Sequence, residues 1–203
     1  MKLLLSFLFA LLMLTGALKA EARNLTPVEG LEALRRSFGT MQDFTADLTQ
    51  EKQLSIMKKK LVMQGQIRFK KPDRFYMELV PPYSSKVLLK DTVLLQRLGN
   101  QGELQRIVLP PEQGLSRWFA TLAKQITAVP EGMEVRAEQT GSQTSVTIRP
   151  AKGGQLKELT VVLHDDGTVR KLVLEERAGD KTVMTFRKTR KNVGLSDADF
   201  RLE

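Results

Sequence analysis

Nucleophilic catalysis requires a hydroxyl or thiol held beside a base, and this chain of 203 residues has one histidine, His164, and no cysteine. His164 is followed by Asp165 and Asp166, a grouping that would serve a metal or a triad if the three side chains converged. Successive residues of a strand point to opposite faces, so they do not. Asp166-Gly167 is instead a two-residue hairpin signal, and turn chemistry accounts for both aspartates and for a histidine at a strand end. Gly153-Gly154 lacks the strand-to-helix context of a phosphate loop, and no Walker or dinucleotide glycine pattern occurs. A glycosidase-like carboxylate pair has no motif to mark it. The chain therefore reads as a binding protein with no catalytic residues, no metal and no cofactor.

The remaining chemistry is charge and hydrocarbon. Met1-Lys2, an apolar run from Leu3 to Leu14 and the small-x-small site Ala20-Glu21-Ala22 read as a cleaved export signal over residues 1–22, with cleavage after Ala20 as the alternative. A permanent anchor needs about 18 uninterrupted apolar residues; this run meets Thr15, Gly16 and Lys19. Removing Lys2, Lys19 and Glu21 with the signal leaves 30 basic against 22 acidic side chains, a net charge of +8. Such a surface favours anionic partners. Nucleic acid is not expected as one, because an exported chain rarely meets it and two Tyr and one Trp offer little for base stacking. Anionic headgroups met in transient membrane contact, or an acidic protein, fit better. The clusters Lys58-Lys59-Lys60, Lys70-Lys71 and Arg187-Lys188-Arg190-Lys191 either form such a docking surface or protect strand edges, which is the common use of lysine there.

Periodicity supplies the scaffold. Thr26-Pro27-Val28-Glu29 is a capping box with proline at the first helical position; the stripe Val28, Leu31, Leu34 and Phe38 follows, and Gly39 ends it. From Asp43 the period becomes 2. Phe44, Ala46 and Leu48 alternate with polar neighbours, as do Met63, Gly65, Ile67 and Phe69, and then Phe75, Met77 and Leu79 up to Pro81-Pro82. Short strands are expected at 86–89, 92–98 and 103–109. Leu115, Trp118, Phe119, Leu122, Ala123 and Ile126 have the spacing of a second helix. A meander over 133–139, 145–149, 156–164, 168–178 and 181–190 completes the chain, with glycine-bearing turns between. Eleven strands and two amphipathic helices make one mainly β (α+β) domain over 23–203. Its single antiparallel sheet is too long to lie flat, and is either a closed barrel or a half-barrel wrapped around the helices.

Phe44-Thr45-Ala46-Asp47-Leu48-Thr49-Gln50, then Gly65-Gln66-Ile67-Arg68-Phe69-Lys70-Lys71-Pro72-Asp73-Arg74-Phe75 and Pro81-Pro82, carry a resemblance that the end of the chain shares. Leu156-Lys157-Glu158-Leu159-Thr160 runs into Asp166-Gly167-Thr168, and Asp199-Phe200 stands near the terminus. In order and spacing, over residues 24–203, these motifs resemble periplasmic outer-membrane lipoprotein carriers of the LolA type. The resemblance implies an open half-barrel covered by short helices. Its apolar cavity would shelter the acyl chains of a lipoprotein or related lipid, received from an inner-membrane transporter and delivered to an outer-membrane acceptor. A monomer is expected.

The cavity walls implied are Phe44 and Leu48, then Met63, Ile67 and Phe69, then Phe75, Met77 and Leu79. Leu115, Trp118, Phe119, Leu122 and Ile126 cover them. Where the family typically carries an arginine that hydrogen-bonds lid-helix carbonyls, this sequence has Lys71, a lid latch with three donors but no planar fork. Residues 90–96 lack the glycine and aromatics usual in the family, and the chain stops soon after Phe200. A lipid-sensing adaptor of the envelope with the same fold is the competing function, and would form a lasting complex rather than transfer cargo. A hydrolase finds no residues to carry it.

Overall fold

A computed structural model describes residues 22–202 except positions 58, 100, 112, 113, 152 and 153, and except the side chains of Trp118, Thr121 and Leu122. The export signal, apart from Ala22, therefore lies outside the described residues, as do Lys58 of the lysine triplet and the Lys152-Gly153 part of one turn.

Twelve strands form one antiparallel sheet. They are β1 (Ala22–Leu25), β2 (Asp43–Gln53), β3 (Leu61–Lys70), β4 (Arg74–Leu79), β5 (Ser85–Lys90), β6 (Val93–Leu98) and β7 (Leu104–Val108), then β8 (Met133–Thr140), β9 (Gln143–Pro150), β10 (Leu156–His164), β11 (Val169–Glu176) and β12 (Lys181–Lys191). The order across the sheet is β1-β8-β9-β10-β11-β12-β2-β3-β4-β5-β6-β7. Neighbours in sequence are neighbours in space except where β1 joins β8 and β12 joins β2. Strands β1 and β7 end the series without pairing to each other, so the sheet is an open half-barrel and not a closed cylinder. The strand beyond the expected eleven is β1, four residues pairing Leu25 with Ala137; so short a run offers no alternation to read.

Register stacks the apolar positions into rows. Phe44 lies opposite Phe69, which lies opposite Phe75, and Ala46, Ile67 and Met77 form the next row. The row after it is Leu48, Gly65 and Leu79. A Cβ at Gly65 would stand 1.9 Å from the Glu78 carbonyl oxygen, so this position must lack a side chain for β4 to lie as close to β3 as it does.

Helix α1 (Pro27–Gly39) opens with the expected capping box, Thr26 Oγ1 accepting from the Glu29 amide and Glu29 accepting from the Thr26 amide. That pairing holds the Glu29 carboxyl below its ordinary pKa. A Cβ on Gly30 would fall 2.4 Å from that of Ala137, so the helix backbone rests directly on β8. Leu31 and Leu34 are buried with Val135, Ala137, Val146, Val161 and Leu163. Each of these leucines and valines contributes about 1.5–3 kcal/mol on full burial. Val169 and Leu172 of β11 pack against this cluster and also against the one on β2–β4, so the inner face is continuous.

The outer face carries a feature the sequence pattern does not announce. Asp43, placed by alternation on the wet side, is buried, and its carboxylate accepts from the amides of Val193, Gly194 and Leu195 at 2.7, 3.0 and 3.1 Å. A buried carboxylate is tolerated when several donors meet it. The chain held in this way runs across the outside of the sheet, where Phe200 is buried with Tyr76 and Leu88, and Leu95, Leu195 and Leu202 pack around them. Arg68 donates to the Asp199 carbonyl at 3.0 Å, with its guanidinium 5.2 Å from the Tyr76 ring centre. Ser196, through its hydroxyl and amide, holds the Asp199 carboxyl below the usual range.

Candidate functional site

The inner face of β2–β4, roofed at one end by two helices, is where most of the expected residues meet. Phe69 lies 5.6 Å from Phe44 and 4.8 Å from Phe119 between ring centres, and Phe38 of α1 stands 6.3 Å from Phe119. Met41, Phe69 and Phe119 are buried in this aromatic group, with Phe38, Phe44, Phe75 and Leu115 half-buried around them. Further along the strands Ala46, Leu48, Ile67, Leu79 and Phe186 are buried, and Phe44, Met63, Phe75, Met77 and Met184 are half-buried against them. The wall thus contains two kinds of residue, some covered by the protein itself and some left partly open. Sequence reasoning found the strand carrying Met184 and Phe186 without assigning its inward face, although the two-residue spacing of that pair was a sufficient signal. Met41 and Phe38 lie at the helix-to-strand junction, where neither period applies.

Helix α2 (Leu115–Leu122) is shorter than the apolar spacing predicts. Leu115 and Phe119 lie on it and join the aromatic group; Trp118 and Leu122 lie on it too, their side chains outside the described residues. Ile126 lies beyond the helix and packs with Leu31, Leu34 and their neighbours, at the other half of the sheet. A polar tie takes it there. Glu32 accepts from the Ile126 amide at 2.6 Å and from the Arg35 guanidinium at 2.7 Å, and these two donors keep the Glu32 carboxyl below its usual pKa.

The start of α2 is also fixed from a distance. Asp91, at φ 51° in the β5–β6 turn, accepts from the Ser116 amide at 3.0 Å. It caps the helix from across the chain, so the stretch that departs from the family pattern has a structural use of its own.

Lys71 touches both helices. Its Nζ donates to the carbonyls of Phe38 and Gly39, the latter at 3.2 Å, and stands 5.7 Å from the Phe119 ring centre. Burial lowers its pKa from the ordinary lysine value. These carbonyls belong to the last turn of α1, where the helix dipole favours a cation. A cleft of about 490 Å³ opens beside this contact, between Phe38, Gly39, Lys71, Phe119 and Ala123.

Several other positions of the basic clusters are engaged in structure. Lys70 and Arg74 pair with Asp197 of the outer tail. Lys188 sits in a bulge between Arg187 and Arg190 at φ 50° and pairs with Asp47 at 3.2 Å, and Lys191 donates to the Asp166 carbonyl at 2.7 Å. Lys60 reaches Glu51 at 3.5 Å. His164 contacts Arg170 at 3.2 Å, and Asp166 accepts from the Thr168 amide at 2.7 Å, as a turn aspartate does.

Gln50 is the exception on the inner face. It stands in register between Met184 and Met63, and its Oε1 is buried with no hydrogen-bond partner. No other side-chain nitrogen or oxygen among the described residues is in that state.

Comparison with known proteins places this arrangement. The sequence profile of the family described as outer membrane lipoprotein carrier protein LolA matches residues 39–203. No protein of curated function matches the chain in sequence. Among solved structures, an uncharacterised conserved protein of Thermus thermophilus is 9% identical, with a TM-score of 0.53 over 88% of this chain and 95% of that one. A LolA superfamily protein of Nitrosomonas europaea is 10% identical over 88% and 98% of the two chains, with a TM-score of 0.46. The MucA/MucB complex structure of Pseudomonas aeruginosa gives 11% identity, 88% and 62% coverage and a TM-score of 0.46.

Proposed function

The chain belongs to the outer membrane lipoprotein carrier protein LolA family, and from that premise we propose that it is a periplasmic carrier that shelters the acyl chains of a lipoprotein or related lipid and shuttles it from the inner to the outer membrane. The observation that carries this reading is the half-burial of Phe44, Met63, Phe75 and Met77 on an inner face that two short helices roof at one end. These side chains keep apolar surface for a guest. A fold that served only its own stability would close over them.

The energetic demand fits a wall of this kind. Each methylene withheld from water is worth about 0.8 kcal/mol, so one 16-carbon chain left in the aqueous periplasm costs on the order of 10 kcal/mol. A carrier must offset most of that and still release. Methionine and phenylalanine without fixed polar partners adapt to chains rather than recognise them, and the latch at Lys71 gives the roof a small barrier to lift. No covalent step is involved. Cargo comes from an inner-membrane transporter and leaves to an outer-membrane acceptor, with the carrier a monomer between them.

Protein purified from an envelope extract is expected to yield acyl-bearing material on organic extraction, identified by mass spectrometry. Phe75→Glu, which puts a charge on the open part of the wall, is expected to abolish it while leaving the far-ultraviolet circular dichroism unchanged. Recovery of the same acyl material from the variant, or of none from the wild type, would overturn the proposal.

A further inference from the structure

The row of register partners crossing the inner face at its middle reads Val146, Val161, Leu172, Met184, Gln50 and Met63. Five of the six are apolar. The sixth presents a buried carbonyl oxygen with no hydrogen-bond partner, and its register partners Met184 and Met63 have no donor to give it, since a thioether is at best a weak acceptor. An apolar residue there would cost the fold nothing in hydrogen bonding, whereas an unpaired buried acceptor does. Such an atom in an otherwise apolar wall calls for a donor brought by something else.

Resting on the carrier reading, we infer that Gln50 is the polar anchor of the acyl site. Its Oε1 accepts a hydrogen bond from a donor at the head of an acyl chain, and the N–H of an amide joining that chain to a peptide is the class it fits first. Position along the strand gives the guest a direction. Gln50 and Phe44 share the inner face of β2 six residues apart, about 20 Å at the usual strand rise. A chain headed at Gln50 and laid along β2 therefore directs its apolar tail toward the aromatic end, where Phe44, Phe69 and Phe119 stand.

Three palmitoyl probes of matched length test this by displacing a fluorescent fatty acid from the full chain. N-methylpalmitamide has an N–H at its head, methyl palmitate has no donor, and 1-monopalmitin has hydroxyls. An amide loses more hydration than an ester on entering an apolar site, so a wall without an anchor favours the ester. Wild-type protein is expected to bind the amide about tenfold more tightly than the ester, and Gln50→Leu is expected to reverse that order while binding the ester at least as well as before. The thermal midpoint of Gln50→Leu should be unchanged or raised, which separates a lost anchor from a lost fold. A Gln50-dependent advantage for monopalmitin supports the anchor and extends the donor class to glyceride hydroxyls. Binding of all probes with no preference for either donor-bearing probe in the wild type, or with that preference intact in Gln50→Leu, overturns the anchor and leaves the carrier standing. Failure of the fluorescent fatty acid and of every probe to bind overturns both.

Discussion

Lys71, the latch in the proposed function, joins the two helices through contacts that are individually small. Its ammonium meets two carbonyls at the end of α1 and the face of Phe119 on α2, so one side chain links the two helices to the β3–β4 turn. Charge-assisted hydrogen bonds contribute about 1.5–3 kcal/mol when desolvated, less for a group partly in water. Lys71→Ala is therefore expected to raise the release rate of a bound fluorescent fatty acid about tenfold, measured by stopped-flow transfer to vesicles; an unchanged rate would remove Lys71 from the gating step. Lys71→Arg should slow release, because a planar fork meets paired carbonyls better than a single ammonium. At this scale the sequence was legible in part. Lys71 is found by its place before Pro72, and the turn aspartates by their glycines. Asp43, Asp91 and Gln50 were not legible, because each takes its meaning from a partner distant in sequence: the tail amides for Asp43, the Ser116 amide for Asp91, and for Gln50 the lack of any donor in its row.

Helices and strands were read with unequal success for a physical reason. Strand alternation is enforced by a face on either side of a sheet, so Phe44 to Leu48, Met63 to Phe69 and Phe75 to Leu79 lie where their spacing puts them. Helix α2 has the spacing of twelve residues and the length of eight, because the tie from Glu32 to the Ile126 amide draws the chain off its axis toward α1. The pattern recorded apolar contacts made on both halves of the sheet, and these merged into one stripe. Gly65 gives a test at this scale. Its hydrogen faces the Glu78 carbonyl, and backbone cannot step aside as a side chain can, so Gly65→Ala is expected to cost about 2 kcal/mol in urea unfolding. It should also speed hydrogen exchange at the Val80 amide, which donates to Gln64 at 2.8 Å across the same strand pair. A loss below about 0.5 kcal/mol, the range of ordinary surface changes, would show that β4 can shift freely.

In the molecule as a whole, two chain segments 150 residues apart are joined at Asp43. Periodicity indicated the single sheet and its two helices and left the closure open; pairing decided that, since the two outermost strands do not meet. Nothing in the spacing of 192–202 foretold a tail pressed on the outer face, which depends on one carboxylate meeting three amides and on Phe200 packing against Tyr76 and Leu88. Asp43→Ala is expected to destabilise the fold by about 3 kcal/mol and to expose the tail to trypsin at Arg201. Chemical denaturation and limited proteolysis measure the two effects, and a protected tail in the variant would assign its anchoring to Phe200 and to the contacts of Arg68, Lys70 and Arg74 with residues 197 and 199. The unjoined edges have a consequence for what such a vessel can hold. A hoop of strands has a circumference set by its own hydrogen bonds, and a wider load must break some of them. Here β1 and β7 are free ends, so a change of twist spread thinly over eleven strand junctions can let out the girth with every ladder intact, for a load of one tail or of several.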